Sequence, residues 1–154
     1  MGHPVVACVI TLIRRIVLVL TALVGLFVGL WAAALPHSFY DSFPGFGLMW
    51  VSVDGPFNEH LIRDVGSLYL AIGAVAIYAN FAKGLAASRA AGVAWVVFGV
   101  PHLAYHASHF EGMATVDVVG NIVGLGGSLL LGVALLLLTH VEQRESEASA
   151  TLSA

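Results

Sequence analysis

The sequence predicts an all-α protein, a four-helix transmembrane bundle with a long aromatic-rich outer loop between its first and second spans. Three observations predict it. The chain of 154 residues is 59% hydrophobic and only 10% charged, against about 25% charged in soluble domains. Its mean hydropathy is +0.94, and a chain this short must cover its surface with polar groups unless lipid is the solvent. The apolar residues also fall into four runs, each about 20 residues long, the length that crosses a bilayer core of about 30 Å at 1.5 Å per residue.

Taken in order, residues 1–15 hold a short apolar run ended by Arg14-Arg15. That run is too short to span, so it lies at the cytoplasmic interface or extends the next helix inward. The first span covers residues 16–35 and stops at Pro36. Arg14-Arg15, the apolar stretch and Ala32-Ala33-Ala34 also follow the layout of a cleaved secretory signal, although the run is long for a signal core. Residues 36–62 form the one long connection, rich in turn formers and in Phe, Tyr and Trp. Its aromatic content argues for an ordered cap at the membrane–water boundary, with a short extended segment near Leu48. The second, third and fourth spans cover residues 65–82, 90–109 and 116–139. A polar cytoplasmic tail, residues 140–154, is expected to be mobile.

The basic residues set the orientation. Arg14, Arg15, Lys83, Arg89 and Arg144 fall at one end of a four-span layout and only Arg63 at the other, which predicts a multi-pass protein of the cell membrane with both termini cytoplasmic. With only six Lys and Arg and a formal charge of −3, there is no basic patch for nucleic acid. Cys8 is the only cysteine, so no intrachain disulfide forms. The lipid bilayer is the expected partner. Gly25 with Gly29, and Gly120 with Gly124, are small-xxx-small pairs that permit close helix approach and offer faces for a homo-oligomer.

This layout gathers the chemistry at the outer end. The stretch from Pro101 to Phe110 carries three of the seven histidines, and His102, His106 and His109 fall within an arc of roughly 60° on one helix face. Imidazoles facing acyl chains are costly, so that face should look into a protein interior or a wet cavity. Histidines at i and i+4 are spaced to chelate one Zn²⁺-like ion. His102 and His109 lie about 10.5 Å apart along the axis, too far to share it. The candidate metal set is His106 with either His102 or His109, completed by Glu59 or His60, with a divalent metal or haem as the candidate cofactor. The bland reading is a hydrogen-bonded network of imidazoles, carboxylates and water. Pro101 leaves a carbonyl near Val97 without its helical donor, which opens room beside His102.

Other members of the expected pocket are Arg63, Asp64, Tyr105, His109, Asp117 and Asn121. Arg63 is expected to pair with Glu59 one turn back or with Asp117 across the bundle. Asp64 suits a helix N-terminus. Asp117 and Asn121, four residues apart, point the same way, and a carboxylate there is placed to orient an imidazole. No Walker-type phosphate loop is present, and no Ser or Cys nucleophile with an evident base.

Phe39-Tyr40-Asp41, Phe43-Pro44-Gly45, Trp50-Val51, the stretch Asp54-Gly55-Pro56-Phe57-Asn58-Glu59-His60-Leu61, Arg63-Asp64-Val65-Gly66, Pro101-His102 and Tyr105-His106 together resemble a family of small bacterial four-helix membrane proteins of unknown function, part of the DoxX-like superfamily. The resemblance covers most of residues 16–139 and implies a four-helix bundle with a long first outer loop. It carries no established activity, and no motif here transfers the quinol or thiol redox chemistry associated with some DoxX-like proteins. The sequence therefore predicts an accessory or small-ligand-binding membrane protein with a His/carboxylate/Arg pocket. The alternative is a metal-, haem- or quinone-dependent membrane redox enzyme using the same pocket.

Overall fold

The computed structural model describes residues 4–152, and among them the chain is all-α apart from one two-stranded hairpin. Helix α1 spans Pro4–Ala34 and α2 spans Pro36–Ser42. Strands β1 (Pro44–Gly45) and β2 (Leu48–Met49) pair antiparallel. They are followed by α3 (Glu59–Phe81), α4 (Ala86–Ala107) and α5 (Thr115–Leu152). Three of the helices, α1, α3 and α5, are long and apolar enough to cross a membrane. Only 44%, 33% and 17% of their apolar windows are buried inside the molecule. Most of that apolar surface therefore faces outward, which water would penalise and lipid does not. The chain is a membrane protein on this ground.

The first helix begins at Pro4, so the apolar run before Arg14 is an extension of the first apolar helix and not a separate interfacial piece. Pro36 does not start a featureless loop. Having no N–H to lose, it takes the first turn of α2. The side chain of Asn58 accepts from Leu61 N at 3.1 Å and caps α3, moving that helix's start out to Glu59. The stretch expected as a mobile tail is helical through Leu152. It is held by Glu142 and Gln143, which bond to arginines on other helices.

Helix α1 packs against α3 and α5, and α4 packs against α5 and α3. The seams are close because they are built on glycine. A Cβ on Gly66 would sit 2.5 Å from Ala33 N, and one on Gly25 would sit 2.7 Å from Gly73 Cα. Gly25 and Gly29 thus form a small-residue face, but it is filled by α3 of the same chain. Gly120 and Gly124 are covered by the indole of Trp50, at 2.6 Å and 3.3 Å from the Cβ positions. Both faces expected to serve self-association are taken up internally. One apolar core, around Leu18, Ala76 and Leu135, fills the end near the termini. A second, around Ala32, Tyr69 and Trp95, fills the end beneath the 36–58 connection.

Candidate functional site

The connection that carries α2 and the hairpin folds over the bundle end as an aromatic cap. Phe39, Phe43, Trp31 and Trp50 meet edge to face or tilted, with Phe39–Phe43 centroids 4.5 Å apart and Phe43–Trp50 5.8 Å apart. The Tyr40 hydroxyl donates to Gly55 O at 2.7 Å, and Asp54 N donates to Val51 O at 3.1 Å. These bonds fix the Asp54-Gly55-Pro56 turn. Trp50 ties the cap to α5 as well, its Nε1 donating to Asp117 Oδ1 at 3.2 Å.

Beneath this cap, the turn delivers the Asp54 carboxylate to α4. Asp54 Oδ2 lies 3.4 Å from His106 Nδ1, and the two side chains are only 20% and 15% exposed. Burial raises the Asp54 carboxyl above its ordinary range, and the nearby His106 and His109 partly oppose that shift. His106 meets His102 edge to face at 4.8 Å. His102 in turn stacks on Phe98 at 4.8 Å and meets Tyr69 at 6.3 Å. Tyr69 continues inward to the buried Trp95 at 6.1 Å. A column of rings therefore runs from the core to the Asp54–His106 pair. Helical spacing explains it, because residues 95, 98, 102 and 106 share one face of α4.

Asn121 is 2% exposed, and its Oδ1 is an unpartnered acceptor among the described residues. Helices α4 and α5 run antiparallel, with Gly92 against Leu136 and Gly99 against Leu129. That register sets Asn121 at the height of residue 107, level with His106.

The other expected pocket residues go elsewhere. His109 lies past the end of α4, where it stacks on Tyr105 at 4.2 Å and its Nδ1 meets Tyr105 O at 2.8 Å. It therefore leaves the face shared by His102 and His106. Glu59 pairs with Arg63 at 2.8 Å, and Arg63 also donates to Ala33 O, closing the α1–α3 seam. His60 and Asp64 pair with each other at 3.4 Å, exposed by 88% and 63%. Glu59 and His60 thus have local helical partners, and the carboxylate beside His106 is Asp54. Among the described residues no three His, Cys, Asp or Glu side chains are grouped to hold a metal ion. The donor set of His102, His106, Glu59 and His60 is accordingly not assembled.

Sequence reasoning missed Asp54, because Asp-Gly-Pro reads first as a turn. It also missed a second polar cluster at the opposite end. Arg14, 8% exposed, donates from Nε to Glu142 Oε2 and from Nη1 to Ser88 Oγ, both at 2.8 Å. Thr11 Oγ1 donates to the other Glu142 oxygen at 2.7 Å. Arg89 donates to Gln143 and to Thr139 O. This network clamps α1, α4 and α5 together.

In comparison with known proteins, the chain matches no family model, no curated protein and no solved structure.

Proposed function

We propose that this chain is a four-span protein of the bacterial inner membrane with both termini cytoplasmic, related to the DoxX-like group. In this reading it serves as an accessory or small-ligand-binding protein whose site is the seam between the outer cap and α4. The observation that carries the reading is the Asp54–His106 contact, a carboxylate and an imidazole largely withdrawn from solvent where loop meets helix. Ionisable groups at such depth are functional by default. Helix α4 is not among the three helices long and apolar enough to cross a membrane, and it serves as the fourth span in this reading by its length of 22 residues alone.

The chemistry of the seam points to a small organic cation. Asp54 and the unpartnered Asn121 Oδ1 are acceptors, and the rings of Tyr69, Phe98 and Tyr105 lie beside the imidazoles. Carboxylate plus aromatic faces is the usual complement of an ammonium group. The rings are in mutual contact, so entry requires the 50–58 segment to lift from α4. The test is thermal melting of protein in nanodiscs titrated with choline, methylamine and Zn²⁺. A melting temperature raised by an organic cation in the wild type, and unmoved in an Asp54→Asn/His106→Gln variant, is the expected result. No shift with either amine, or an equal shift in the variant, defeats the proposal. Stabilisation by Zn²⁺ alone, lost in His102→Ala/His106→Ala, would turn the site over to the metal-dependent alternative.

A further inference from the structure

At the end of the molecule away from the cap, a groove of about 430 Å³ opens between α1 and α3. Its apolar wall is made by Val19, Leu23, Ile77 and Phe81, all of them exposed, and two polar side chains, Arg15 and Asn80, complete it. We infer that this groove binds one anionic phospholipid of the cytoplasmic leaflet. The phosphate sits on Arg15 and Asn80, and an acyl chain runs up the apolar wall toward Leu23. The inference rests on the four-span reading, which sets this end at the cytoplasmic face.

The two adjacent arginines have different fates. Arg14 turns inward and takes Glu142, and Thr11 takes the remaining oxygen of that carboxylate. Arg15 turns outward into the groove and pairs with no carboxylate among the described residues, feeling Glu142 only at longer range. A guanidinium at the edge of the hydrocarbon region needs a counter-anion, and phosphate matches its planar fork. The α1–α3 seam is antiparallel, Gly25 facing Gly73 and Gly29 facing Gly66. From Arg15 to Leu23 the wall rises about 12 Å at 1.5 Å per residue, long enough for a substantial part of an acyl chain. A soluble anion would leave the apolar wall unused, and a zwitterionic lipid would leave the net positive charge uncompensated. An anionic phospholipid satisfies both halves.

The experiment is native mass spectrometry of the detergent-solubilised full chain. The probes are phosphatidylglycerol and phosphatidylcholine with identical acyl chains. Retention of phosphatidylglycerol over phosphatidylcholine by about fivefold is expected, the effect of one basic residue at an anionic membrane surface. Arg15→Gln should bring the ratio to parity while leaving the melting temperature unchanged, because Arg15 bonds to no other helix. Leu23→Ala/Phe81→Ala, which strips two exposed side chains from the apolar wall, should reduce retention of both lipids. Glycerol phosphate in excess should fail to displace the lipid. Equal retention in the wild type, a preference that survives Arg15→Gln, or displacement by glycerol phosphate each overturns the site. Labelling of Cys8 by an impermeant maleimide separates the two readings. Labelling from the periplasmic side overturns the orientation and with it the leaflet, whereas cytoplasmic labelling without lipid selectivity overturns the lipid site alone.

Discussion

Asp54 is the residue on which the seam between the cap and α4 turns, and its titration has a definite sign. Burial is the largest influence on its carboxyl and raises it above the ordinary 3.8, with His106 and His109 opposing. A raised native value means that the fold favours the protonated form. The contribution of this group to stability is therefore full below the ordinary value and falls away as pH rises through the native one. Asp54→Asn carries no charge at any pH, so it should flatten that part of the pH profile of thermal melting and melt no lower than wild type near neutrality. A variant that keeps the wild-type slope would show that burial does not govern this carboxyl. His102 and His106 could be paired from sequence because i, i+4 spacing fixes a shared helix face. The same rule misplaced His109, because it presumes a helix that continues, and α4 ends at Ala107. No periodicity reports on Asp54, which reaches His106 only through the tertiary path of the cap.

Among the elements, the glycine seams were visible as spacing but not as partners. Small-xxx-small pairs say that something approaches closely, not whether it is another chain, another helix or an indole. Gly25 and Gly29 meet α3, whereas Gly120 and Gly124 meet Trp50. This difference predicts distinct outcomes for one chemical change. Gly66→Ala drives a methyl against the α1 backbone at Ala33 and should cost about 1–3 kcal/mol, read as lost thermal stability. Gly126→Ala meets nothing within 4 Å and should be neutral or stabilising by about 0.5–1 kcal/mol through helix propensity. Gly120→Ala should displace Trp50 and break its bond to Asp117, read as a blue-to-red change in tryptophan emission as the indole becomes wet. The clamp near the termini was harder to foresee, since Arg14 and Glu142 are separated by 128 positions and the tail looked merely polar. Arg14→Ala leaves Glu142 with Thr11 alone and Ser88 without its donor, and should cost about 1–3 kcal/mol. A double-mutant cycle with Glu142→Ala checks this, and additive effects would dissolve the clamp.

For the molecule as a whole, hydropathy alone was enough to specify an all-α membrane protein, because lipid permits so few backbone arrangements. Its orientation, on the proposed four-span reading, is a matter of which basic residues stand at each end. Arg63 at the cap end is tied to Glu59 and Ala33 O, and Arg14 at the other end is neutralised by Glu142. Arg15, Lys83, Arg89 and Arg144 carry no ion pair with a described carboxylate, and all four belong to the end near the termini. On the proposed four-span reading these four and Arg14 stand against Arg63 alone, and the positive-inside bias, which counts Lys and Arg and not net charge, sets their end in the cytoplasm. Two cysteine positions test it. Cys8 is exposed on α1, and Asp41 is exposed on α2 of the cap. In vesicles of known sidedness, an impermeant maleimide should label Cys8 only from the cytoplasmic face. Asp41→Cys in a Cys8→Ala background should be labelled only from the opposite face. Labelling of both from one face would mean that α1 does not carry the chain across the membrane. The cap would then share a compartment with the clamp, and the polar seam at Asp54 could not open to the outside.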